Sequence, residues 1–166
     1  MVVLTYEPTW TTHDVHGHNL EAVAQAIQAM TEAGQTKWLP TYHAQQWEGQ
    51  TIARAQVDVQ VLVTMPQWVE CAQAPAAEQA EWERFVTALH AHEQGHIDIV
   101  NTYLENADTL LEGVDEQTAA SQWQANLTAL QAASDQYDAG NDHGRNEGTT
   151  INLPEQEQAE EESVSP

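Results

Sequence analysis

From about Ala76 to Leu111 the chain contains no helix breaker except Gly95. Along this run Trp82, Phe85, Leu89, His92, His96, Ile99, Tyr103, Ala107 and Leu110 follow one another at three- and four-residue steps. That spacing draws one stripe down one side of a single long helix. Whatever else the chain does, it must supply a surface that buries this stripe. Two histidines lie within the stripe, so they turn toward the rest of the protein.

The clearest candidate for that surface is "ARAQVDVQVLVTMP". Val57, Val59, Val61, Val63 and Met65 alternate with Asp58, Gln60, Leu62 and Thr64, which predicts a strand with one buried face. Pro66 is expected to stop it. Residues 2–12, rich in Val, Leu, Tyr, Trp and Thr, read as another strand. "TKWLPTYHAQQW" reads as a third extended segment, where Pro40 favours an edge or a bulge. Leu20, Val23, Ala24, Ile27 and Met30 predict a helix from Leu20 to Ala33, capped by Asn19 and ended by Gly34. Pro75 stands where the long helix can begin. A last helix is expected from about Glu116 to Tyr137, with Trp123, Leu127, Leu130, Ser134 and Tyr137 in register. A glycine-rich loop, "DAGNDHGRNEGTT", follows it. The order implies an α+β domain over residues 1–153, with helices packed on a small, mostly antiparallel sheet. Residues 154–166 read as an acidic, disordered tail.

The chain carries 26 acidic residues against 4 basic ones, a formal net charge of −22. Like charge repels at long range, which excludes nucleic acid and anionic membranes as natural partners. Adaptation to salty surroundings and lineage composition are both consistent with the excess. A hydrophobic content of 41% with six tryptophans supports a folded body. Nothing approaches the roughly eighteen apolar residues of a membrane span. The opening "MVVLTYEPTW" shows no signal peptide. Cys71 is the single cysteine, which rules out an internal disulfide and a cysteine-based metal cluster; it reads as a buried apolar residue.

The chemistry concentrates in His92-Glu93-Gln94-Gly95-His96. Residues four apart on a helix stack one turn above each other, so both imidazoles can reach one ion. Zinc accepts such nitrogen ligands, and a catalytic zinc keeps one position for water. Glu93, about a hundred degrees further round the helix, can reach that water as a base without taking a ligand position. Two core histidines beside a solvated acid are the bland alternative. Gly95 weighs against it, because a glycine inside a helix costs about 1 kcal/mol relative to alanine and suggests a close approach there.

A catalytic zinc needs a third protein ligand. Asp98 points away from the pair, and Glu105 and Glu112 are too far along. His143, in the loop after the last helix, is the first choice, with Asp138 and Asp142 as oxygen alternatives. Tyr137 is the favoured donor to a developing oxyanion, ahead of Tyr42, His43 and Tyr103. His90 and the cluster His13, His16 and His18 read as surface residues.

The segments "HDVHGHNLEAVAQAI", "TKWLPTY", "VDVQVLVTMPQW", "WERFVTALHAHEQGH" and "QYDAGNDHG" together resemble a bacterial domain family described as predicted secreted zinc-dependent proteases. The resemblance covers roughly residues 5–150. It implies a zincin-like fold, Zn2+ on His92 and His96, Glu93 as catalytic base, His143 as third ligand, and Tyr137 or Asp138 in support. It also implies a peptide or protein substrate and a secreted or periplasmic location. A zinc-binding interaction or metal-handling domain without hydrolysis shares the ligands and differs only in leaving Glu93 idle. A helical interaction protein with core histidines is the third possibility.

Overall fold

The computed structural model describes residues 7–154. They form, in order, β1 (Thr9–Val15), α1 (Leu20–Gln28), β2 (Gln35–Glu48), β3 (Thr51–Trp68), α2 (Ala76–Leu104) and α3 (Glu116–Gly140), with short 3-10 turns at Cys71–Gln73, Ala107–Leu110 and Arg145–Glu147. The tail expected from residue 154 lies outside the described residues from 155 onward, as does the beginning of the first expected strand.

The fold is α+β, with one correction to its sheet. The three strands lie in the order β1-β3-β2; β2 pairs antiparallel with β3, but β1 pairs parallel with it. The sheet is therefore mixed and not mostly antiparallel. Period-two patterning identifies a strand and its buried face but carries no information on the direction of a neighbour. Here α1 and β2 together form the crossover that brings β1 and β3 side by side in parallel.

β3 buries Val57, Val59, Val61, Val63 and Met65, as its alternation requires. It runs past Pro66, however, to Trp68. The pairing with β2 ends at Thr64, so the missing N–H of Pro66 interrupts no ladder on that side. Pro40 lies on the edge strand β2, whose irregularities occur instead around Gln46.

α1 begins at its Asn19 cap, whose side chain accepts from Ala22 N at 2.9 Å, but ends at Gln28, short of Gly34. α2 starts directly after Pro75 and stops at Leu104, short of the expected Leu111. Its later stripe rotates: Ile97, Val100 and Leu104 are fully buried, while Ile99 and Tyr103 are only partly so. Trp82 packs edge-on against Trp68 of β3 and tilts onto Phe85. The segment between α2 and α3 is tied to the start of β3 by Ile52 N to Val114 O and Gly113 N to Ile52 O, each 2.8 Å. That anchor sets α3 alongside α2. Cys71 is half-buried, packed against the rim of the core and not within it. No described helix is long and apolar enough to cross a membrane.

Candidate metal centre

α2 delivers three polar side chains into the interior: His92, Glu93 and His96 are 6%, 3% and 8% exposed. Such burial is tolerated only where partners exist. The partners of the two histidines come from α3 and the loop after it, and that of Glu93 from β2. α3 continues three residues beyond the expected Tyr137, to Gly140, which places Asp138 on its last turn. From there Asp138 Oδ1 lies 3.2 Å from His92 Nε2 and 3.1 Å from His96 Nε2. All three atoms fall within 4.8 Å of one another, and no other such group occurs among the described residues. The place for which His143 was first choice is thus held by the oxygen alternative. His143 sits nearby, exposed in a left-handed conformation with φ 53, and lines the same cleft without joining the set.

The outer nitrogens are occupied. His92 Nδ1 is 2.7 Å from Glu147 Oε2, and His96 Nδ1 is 2.9 Å from Ser134 Oγ. A carboxylate only accepts, so His92 Nδ1 must donate to Glu147. In the neutral ring that leaves the Nε2 lone pair facing Asp138 Oδ1, a second acceptor. Burial holds the His96 pKa down, against the opposing pull of Asp138, and so favours the neutral His96 ring. In the tautomer whose Nδ1 donates to Ser134 Oγ, His96 also turns its Nε2 lone pair inward, and a cation between the three inner atoms would satisfy them all. Ligands about 2.0–2.1 Å from a tetrahedral ion are roughly 3.3 Å apart, close to the observed spacings. The residues present fit a divalent metal, and their outer contacts are of the kind that fix histidine ligands.

Glu93 faces the other way around α2, toward β2. Thr36 Oγ1 donates to its Oε2 at 2.6 Å. Burial pushes its carboxyl pKa up, opposed by the Thr36 hydrogen bond and by His92. Gly34 makes room for it: a Cβ there would lie 2.7 Å from Glu93 Oε1. Gly95 has the same logic on the opposite side. A Cβ at 95 would lie 2.5 Å from Tyr137 Cζ, so the close approach implied by a mid-helix glycine is that of the Tyr137 ring. Tyr137 stacks on His92, with centroids 5.0 Å apart, and its hydroxyl donates to Glu147. That carboxylate and burial, the larger cause, both push the phenol pKa up. Tyr137 therefore stands behind the histidines and supports them, while the cleft lies in front.

The chain is matched from residue 10 to residue 144 by the profile of a family described as bacterial protein of unknown function (DUF922). It belongs to that family. No curated protein and no solved structure matches it. The stretch shared with the DUF922 family contains His92, Glu93, His96, Ser134, Tyr137 and Asp138, and ends just before Glu147.

A cleft of about 1150 Å³ opens in front of the centre, with His92, Glu93, His96 and Asp138 in its wall. Residues 35–39 of β2 form one border, and Ile27, Met30, Phe85 and Leu89 add apolar surface. Tyr42, His43 and Tyr103 are not part of it: Tyr42 packs on Trp123, and His43 lies 4.0 Å from Asp58. His16 pairs with Glu70 at 2.9 Å on the surface, and His90 stacks on Trp10. Glu147 had no signal in the sequence, being one carboxylate among many in a polar loop.

Proposed function

We propose that the chain is a metal-dependent peptidase that holds Zn2+ through His92 Nε2, His96 Nε2 and Asp138 Oδ1. Two imidazoles and a carboxylate suit zinc. The same donor set also suits ferrous iron in oxygenases; what favours hydrolysis is Glu93. It is buried one residue from a ligand, fixed by Thr36 through one oxygen only, and open to the cleft. That placement is the observation that carries the reading.

When bound, the ion supplies Lewis acidity, polarising a carbonyl and making water acidic near neutral pH. Glu93 takes the proton from the attacking water and passes it to the amide nitrogen as the C–N bond breaks. The other elements position the substrate. β2 is an edge strand that pairs with β3 alone among the described strands, and its residues 35–39 border the cleft. An extended peptide can add there as a further strand, presenting a carbonyl to the centre. Glu32 and Asp135 in the cleft wall, together with the net charge of −22, disfavour acidic peptides. The zincin-like architecture belongs to the same proposal.

The test is Glu93→Gln, assayed on a mixed peptide library with bound metal measured in parallel. Cleavage is expected to fall by about 10²–10⁴-fold while zinc content stays that of the parent. A variant that cuts at the parental rate ends this mechanism. An inactive parent that still binds zinc tightly would favour the non-hydrolytic metal-binding reading.

A further inference from the structure

After α3 the chain doubles back over the N-terminal half of α2. Gly144, at φ 82, packs so closely that a Cβ would lie 3.2 Å from His92 Cγ. Glu147 then reaches His92 Nδ1, and the backbone beside it is fastened one residue later. Arg84 Nη1 donates to Gly148 O at 2.9 Å, and Nη2 donates to Thr150 O. The guanidinium is aimed by Glu81, which accepts from Nε at 2.9 Å and from Nη2 at 2.7 Å. Glu81 Oε1 also accepts from Asn152 N at 2.7 Å, so both members of the pair grip the same returning segment. An arginine fork held bidentately has little freedom left to lose when it binds two carbonyls. The chain has only 4 basic residues, and it commits this one to main-chain oxygens beside the centre.

The geometry points to Arg84 as a positioning residue of the metal centre. Through Gly148 and Thr150 it holds the strap of residues 144–152 that keeps Glu147 on His92 Nδ1. It thereby fixes which nitrogen of His92 faces the ion. The inference rests on the metal reading of the centre but not on peptidase activity.

The test compares Arg84→Ala, Glu147→Gln and the double variant with the parent. Zinc affinity is measured by competition with a chromogenic chelator, and melting by circular dichroism in EDTA. Loss of an outer partner of a ligand weakens metal binding by about 10–100-fold, which is the effect expected for Glu147→Gln. Arg84→Ala is expected to lose about tenfold at the lower end of that range. The double variant should lose no more than Glu147→Gln alone, because both changes act through one contact. Arg54→Ala, an exposed arginine on β3, should change nothing. An Arg84→Ala protein that binds zinc like the parent overturns the proposal, as do losses that add in full. A merely structural Arg84 would lower the metal-free melting temperature and leave the affinity of the folded protein intact.

A second arm needs no metal. Imidazole ¹⁵N spectra of the metal-free parent should show His92 protonated on Nδ1, and Arg84→Ala should relax that preference. If the parent binds no divalent ion, the metal reading fails, and an unchanged His92 tautomer in Arg84→Ala then rejects the clamp on its own.

Discussion

The two halves of the centre are built by different means. His92, Glu93 and His96 lie within five consecutive residues of α2, and helix geometry alone sets their relative positions. Asp138 and Glu147 come from the final turn of α3 and the strap beyond it. Their positions depend on how α3 docks and on where the strap is fastened. The first half is fixed covalently and locally; the second is fixed by packing. A change to the packing that seats α3 and the strap should therefore tune the centre by degrees, whereas loss of a ligand side chain or of Glu93 should remove a function outright.

The sharpest way to break this comparison is to exchange the two contenders for third ligand. Asp138→Ala should weaken zinc binding by at least about a hundredfold, beyond the range for outer-shell partners. His143→Ala should leave it within about twofold, since no bond of that ring enters the set. The parent should also melt higher with zinc. At a hundred times Kd the ion adds about 2.7 kcal/mol, and the Asp138→Ala protein should lose most of that increment at the same zinc concentration. The opposite ranking of the two variants would mean that the last turn of α3 and its loop rearrange when the ion binds.

How much of this was legible follows the same division. The long-helix stripe, the inward turn of both histidines and the buried face of β3 all rest on periodicity, which neighbouring residues encode. Asp138 is legible as an alternative, but the sequence favours His143, whose Asp-His-Gly turn can aim its ring, and reads Asp138-Ala139-Gly140 as the start of the same loop. In the structure helical hydrogen bonding continues to Gly140. That extra turn, secured by Ser134 on His96 and by the stacking of Tyr137, carries the carboxylate inward. The parallel β1–β3 pairing and the contact of Glu147 with His92 are long-range, and no local pattern encodes them. Gly95 is intermediate: the sequence showed that something approached, and only the fold says what.

Gly95 also measures how tightly the two halves are pressed together. Alanine would gain about 1 kcal/mol in helix propensity, but its Cβ would overlap the Tyr137 ring. Such overpacking costs about 1–3 kcal/mol. The ring can yield only by giving up its stack on His92 and its bond to Glu147. Gly95→Ala is therefore expected to destabilise the protein by about 1 kcal/mol and to weaken zinc binding. In a Tyr137→Ala background the clash is gone, and the same substitution should become stabilising. Denaturant melts of the four proteins decide it, and a substitution that stabilises in both backgrounds would show that the two helices are not in such close contact.

The smallest effect is expected two residues before the motif. His90 lies on the same helix as His92 but is exposed, and its ring stacks on Trp10 of β1 with centroids 4.3 Å apart and planes within 4°. His90→Ala should leave zinc affinity and cleavage unchanged. It removes one partly exposed stack, worth less than about 1 kcal/mol, so Tm should drop by no more than about 2–4 °C. Proximity in sequence is thus set against proximity in space: His90 is two positions from a ligand and inert, while Glu147, more than fifty positions away, touches that ligand. If His90→Ala instead loosened the metal, the strain would have to travel along α2 itself, and the local half of the centre would be as dependent on packing as the distant half.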